Sequence, residues 1–159
     1  MSGGPRARWP RPIDATLHGA TDYQVGALLT TVFPRLVGVE GTRSAKQIRI
    51  AGAAHAGYST LTNYQLGVVK VIPYKVHLLL DLVGAIVLGS LPFVTGQWKK
   101  GRRQWLPHVG LALFELTSLA LTDPTGRGDY KGDVEAVREA NTTNPREKIE
   151  GAPAVVTPA

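Results

Sequence analysis

Residues 17–29 read LHGATDYQVGALL, and residues 76–88 read VHLLLDLVGAIVL. In each stretch an Asp follows a His after four residues: His18 and Asp22, then His77 and Asp81. That spacing places both side chains on one face of a helix. Both pairs run on into Gly-Ala (Gly26-Ala27, Gly84-Ala85) and then a Pro (Pro34, Pro92), which points to a duplicated unit. A second match lies between the copies. His55 stands seven residues before Thr62-Asn63, and Glu115 stands seven before Thr122-Asp123. The chain therefore reads as two helical hairpins, about 16–64 and 74–123.

Composition separates this body from its ends. Residues 1–13 are basic and Pro-rich, with Arg6, Arg8 and Arg11 among Pro5, Pro10 and Pro12. They are not expected to form a signal peptide, because the apolar region that follows is too long and lacks a small-residue cleavage site. Residues 124–159 are polar, rich in Gly, Pro, Asn and Thr, and are expected to form a disordered tail. Mean hydropathy over the whole chain is only −0.02. The body, 14–123, is far more apolar than that average. The net charge of +6 falls in the gaps between apolar segments, with no aromatic–basic interleaving, so nucleic acid is not expected as a partner. The absence of Cys excludes disulfide and thiolate chemistry.

Four apolar segments, about 16–37, 45–64, 74–95 and 105–122, each have nearly the ~20 residues that cross a ~30 Å hydrocarbon core. Helix signals accompany them. Ser44 and Gln47 form a capping-box pattern, Pro73 and Pro107 fall in first turns, and Gly38, Gly67, Gly96 and Gly126 follow the ends. Ala51, Gly52, Ala53, Ala54, Ala56 and Gly57 suit close helix packing in a membrane. Trp98 and Trp105 flank a basic loop in the manner of an interfacial belt. These features predict an all-α membrane protein with four transmembrane helices arranged as two repeated hairpins. The lipid bilayer is the expected partner, with a homo-oligomer or larger membrane complex as a further possibility. Lys and Arg are distributed too evenly to fix its orientation.

The elements Val32-Phe33-Pro34 and Ser90-Leu91-Pro92-Phe93 close the first helix of each repeat. In this the chain resembles the bacterial SPW-repeat membrane proteins. The resemblance implies a multi-pass protein of the bacterial cytoplasmic membrane. It carries no established activity and no functional residues.

The ionisable residues inside the apolar segments define the candidate site. A carboxylate at mid-bilayer costs roughly 2.5–3.5 kcal/mol, so Asp22, Asp81 and Glu115 should face the bundle interior and have partners. At ~1.5 Å per residue, Asp22 and His55 come to similar depths, as do Asp81 and Glu115. The predicted polar cluster comprises His18, Asp22, His55, Asn63, His77, Asp81, Glu115 and Asp123. Its readings are three: hydrogen-bonded glue between helices; a metal or haem site with His18, His55 and His77 as candidate ligands; or a proton or solute path. His108, at the opposite end, reads as an interfacial residue. No Ser-His-Asp order, phosphate loop or thiol motif is present. The expected function is a structural or partner-binding subunit rather than an enzyme.

Overall fold

The computed structural model describes residues 11–126. The expectations for the basic N-terminal segment and the polar tail concern residues that lie almost entirely outside this range. Five α-helices form the body: α1 (Ala15–Thr30), the single turn α2 (Phe33–Leu36), α3 (Arg43–Leu61), α4 (Tyr74–Val94) and α5 (Arg102–Leu121). A 3-10 turn, Gln97–Lys100, links α4 to α5.

Local chemistry sets most of the boundaries. Asp14 caps α1 by accepting from Leu17 N–H at 2.8 Å. Thr42 caps α3 by accepting from Ala45 N–H at 3.3 Å. Ser44, expected as the cap, instead lies inside α3 and is buried against α5. Arg49 closes the C-terminal end of α1, donating to the carbonyls of Thr30 and Thr31 while pairing with Glu40 at 3.0 Å. Gly38 and Gly96 take positive φ after α2 and α4.

Each long helix buries one narrow stripe. In α4 the buried residues are Tyr74, His77, Asp81, Ala85, Leu88 and Pro92, the three- and four-residue steps of a single helical face. In α1 they are Ala15, His18, Gly19, Asp22, Gly26 and Leu29. The His-x3-Asp pairs are thus part of the inward stripe. The opposite face of α4 leaves Leu79, Val83 and Ile86 exposed.

The main packing is α1 on α3 and α4 on α5, with thinner contact between the two pairs. Small residues permit the first crossing. A Cβ built on Gly26 would lie 2.8 Å from the Cβ of Ala56, and one on Gly52 would lie 2.6 Å from the Cβ of Leu29. Gly89 does the same for α4 and α5, where a Cβ would come within 2.9 Å of the Cβ of Ala112. The apolar core has two parts. Leu29, Val39, Ala45 and Ile48 fill one end, and Ala15, Tyr64 and Tyr74 fill the other.

The two halves are joined by a pair of matching parallel bridges, Ile13 with Thr122 and Ile72 with Thr62. Asp123 N–H donates to Ile13 O at 2.8 Å, and Asn63 N–H donates to Ile72 O at 2.8 Å. Each bridge ties the start of the first helix in one hairpin to the end of the last helix in the other.

The expectation of four transmembrane helices is overturned. Among the described residues only α4 is long and apolar enough to cross a membrane. With 16 residues α1 spans about 24 Å, short of the hydrocarbon core. Arg43, Lys46 and Arg49 stand in the first two turns of α3, and the rest of that helix is mainly small and polar residues. Arg102 and Arg103 open α5, and Glu115, Thr117 and Ser118 interrupt its apolar run. The integral, multi-pass assignment and its location in a bacterial cytoplasmic membrane are corrected with it. The chain is a helical bundle organised around a buried ionic cluster.

Close backbone approach has a measurable consequence. Gly52→Leu should destabilise the fold by at least the ~1–3 kcal/mol typical of overpacking. Gly57→Ala, where an added Cβ meets nothing within 4 Å, should be neutral or stabilising. Equal melting temperatures for the two variants would refute the tight α1–α3 crossing.

Candidate metal centre

Asp22 and Asp81 face each other across the bundle with three imidazoles between and around them. His18 Nε2 lies 3.1 Å from Asp81 Oδ2 and 3.6 Å from Asp22 Oδ1. His77 Nε2 lies 3.0 Å from Asp22 Oδ2 and 3.2 Å from Asp81 Oδ2. His55 Nε2 lies 3.1 Å from Asp22 Oδ1. All five residues are buried.

The outer nitrogen of every ring is already committed. The Thr122 hydroxyl donates to Ser118 O at 2.8 Å, so its oxygen can only accept from His18 Nδ1–H, 2.9 Å away. The Thr62 hydroxyl donates to Tyr58 O at 2.7 Å and accepts from His77 Nδ1–H at 2.8 Å. Tyr58 O–H donates to Asp81 Oδ1 at 2.6 Å and accepts from His55 Nδ1–H at 2.6 Å. All three imidazoles therefore carry a proton on Nδ1 and turn Nε2 toward the carboxylates. The Nε2 atoms of His55 and His77 make no hydrogen bond, although carboxylate oxygens stand 3.0–3.2 Å away.

Two groups in this cluster are arranged so that they can hold a metal ion: His18, His77 and Asp81, and His55, Asp81 and Glu115. Within each group the ligand atoms lie within 4.8 Å of one another.

Electrostatics follow from burial and pairing. Burial works to raise the carboxyls of Asp22 and Asp81, but the surrounding imidazoles outweigh it and hold both below the usual range. Burial works to lower His55 and His77, but the carboxylates prevail. His55 is raised, and His77 is raised to about 9. Glu115, without a comparable imidazole partner, is pushed up by burial to about 7.

Aromatic rings close the cluster. The Tyr74 ring stacks on His77 with centroids 6.2 Å apart, and Tyr64 meets the same ring edge-on at 5.6 Å. Tyr64 also explains Gly19. A Cβ there would lie 1.9 Å from the tyrosine ring.

Of the residues expected at the site, His18, Asp22, His55, His77 and Asp81 come together, and Glu115 adjoins them. Asn63 and Asp123 act through their backbones in the two bridges, and the Asp123 carboxylate accepts from Thr125 N–H at 2.9 Å. Sequence reading missed Tyr58 and the role of the Thr62 and Thr122 hydroxyls. The i,i+3 step from His55 to Tyr58 and the sixty-residue match of the two threonines were the available signals. His108 is not interfacial. It is fully buried beside Ser44, its Nδ1 3.3 Å from Ser44 Oγ, and burial pushes it down to about 4.

Comparison with protein-family models, curated proteins and solved structures gives no match to this chain. The resemblance to SPW-repeat membrane proteins is therefore overturned. Its carrying elements are also unlike in structure: Pro34 opens the separate turn α2, whereas Pro92 lies inside α4.

Two outcomes test this geometry. Asp81→Ala removes the carboxylate shared by His18, His77 and Tyr58 and should cost about 3–5 kcal/mol. Asp14→Ala, which removes only a helix cap, should cost about 1 kcal/mol. Urea unfolding of both variants makes the comparison. His108 supplies a pH dependence. Its folded pKa lies below the ordinary 6.5, so its stabilising contribution is complete above pH 6.5 and is lost as pH falls toward about 4. His108→Leu should flatten that acid limb of stability; an unchanged slope between pH 6.5 and 4 would refute the assignment.

Proposed function

We propose that this chain is a small helical metal-binding protein. It takes one divalent transition-metal ion among His18, His77 and Asp81, with Asp22 and His55 completing the donor set. The observation that carries this reading is the common orientation of three imidazoles. Each ring is held by a hydrogen bond at Nδ1, the arrangement that supports a metal-ligating His from behind. Each Nε2 lies within 3.1 Å of a carboxylate oxygen, and two of the three make no hydrogen bond there.

Spacing supports the same reading. Donors about 2.0–2.2 Å from one ion sit about 3.0–3.5 Å from each other. The Nε2-to-carboxylate separations run from 3.0 to 3.6 Å. Two carboxylates and three neutral imidazoles balance a divalent charge, and this mixed set suits Zn(II), Fe(II) or Mn(II). Haem fits less well. Each Nε2 has a carboxylate oxygen within 3.1 Å, on the side where a porphyrin would have to lie.

Chelator-stripped protein titrated with Zn(II) should bind one equivalent. Co(II) should give ligand-field absorption in the visible range. Saturating metal at about 1,000 Kd should stabilise the fold by about 4 kcal/mol. The His18→Ala, His77→Ala double variant should lose binding. Thr62→Val should weaken it about 10–100-fold, through loss of the hydrogen bond that orients His77. If Zn(II), Co(II), Fe(II) and Mn(II) neither bind nor raise the melting temperature, the cluster is an ion-pair network alone.

A further inference from the structure

A cavity of about 380 Å³ opens where the two helical pairs pack thinly. That is the lower part of the range for small-molecule sites, about 300–1,000 Å³. Val25, Leu29, Ile50, Leu88, Leu91 and Phe114 make most of its wall apolar. Its polar end is the side of the ionic cluster formed by His55, Tyr58, Asp81 and Glu115.

The polar groups at that end differ in what they still need. Tyr58 donates to Asp81 and accepts from His55, which uses its hydroxyl. Asp81 accepts from Tyr58 and pairs with His18 and His77. Of the four groups at that end Glu115 alone makes no hydrogen bond or ion pair among the described residues, and such a carboxyl beside an apolar wall selects a ligand with an apolar body and a single donor-bearing, positively charged head.

We propose that this cavity binds a medium-chain aliphatic amine, the chain against Leu29, Leu88 and Phe114 and the ammonium on the Glu115 carboxylate. Three ammonium hydrogens suit a carboxylate with no other donor, and a charged hydrogen bond is roughly twice as strong as a neutral one. A fatty acid would add a further negative charge beside Glu115 and Asp81. A neutral alcohol offers the same chain but only one uncharged donor. The inference stands on Glu115 and the cavity, and it does not require the neighbouring five-residue centre to hold an ion.

The probes are n-octylamine, n-octanol and octanoate, titrated by calorimetry into the full chain, once chelator-stripped and once Zn(II)-treated, with metal content measured on the same samples. Octylamine should bind at least about ten-fold more tightly than octanol, a difference of about 1.4 kcal/mol, and octanoate should not bind. Glu115→Gln, which keeps the shape of the side chain, should abolish the preference for the amine while leaving octanol affinity within about two-fold. Ala54→Phe should fill the cavity and exclude both. Binding of octanol as tightly as octylamine overturns the proposal, as does amine binding that survives Glu115→Gln. A second equivalent of Zn(II) that Glu115→Gln removes and that blocks octylamine also overturns it, by making Glu115 a ligand of the His55–Asp81–Glu115 group. Loss of metal binding with amine binding intact would count against the metal centre alone.

Discussion

Two carboxylates shared among three imidazoles govern the rest of this structure. Taking Asp22 and Asp81 out of water is expensive, and the return is good only when every donor and acceptor is matched. The bundle meets most of that demand, leaving the Nε2 atoms of His55 and His77 without a hydrogen bond. Inside, Nε2 atoms surround the carboxylates. Outside, threonine and tyrosine hydroxyls hold each ring by Nδ1. An apolar substitute of similar volume would often be as stable or more so. The cluster is therefore weak evidence of a need for stability, and its donor set is one that could hold a metal ion.

The twofold relation of the hairpins explains how a short chain builds such a site. His18 and His77, Asp22 and Asp81, and Thr62 and Thr122 occupy matching places, and so do the bridges at Ile13 and Ile72. One copy would supply a single His-Asp pair; two copies facing each other supply opposed pairs with a common centre. Where the copies diverge, the site gains a direction. His55 corresponds to Glu115, and Tyr58 to Ser118, so an imidazole held by a phenol meets a carboxyl on one side of the centre. The apolar cavity opens on that asymmetric side.

Packing and the site depend on each other. Gly26 and Gly52 bring α1 onto α3, which carries His55 to Asp22. Gly19 leaves room for the Tyr64 ring, which lies against His77. The thin contact between the pairs is the other side of this arrangement. Charged groups bridge the halves at one end, and the space beyond them is left for the cavity.

The sequence alone carried the repeated pattern and marked His18, Asp22, His55, His77, Asp81 and Glu115 as candidates for one polar set. Those features are periodic: a four-residue step along a helix and a sixty-residue step along the chain survive without coordinates. It misled on the membrane, because an apolar window does not distinguish a spanning helix from one with a single buried stripe and many small residues, as α3 has. Tertiary structure decided everything that depends on helix rotation and on which ends meet. It turned three Nε2 atoms inward and committed the hydroxyls of Tyr58, Thr62 and Thr122 behind them. It also sent Asn63 and Asp123 to backbone bridges and buried His108 at the far end. The physical reason is that a hydrogen bond is fixed by distance and angle between segments far apart in the chain. Composition and spacing carry only which groups share a face.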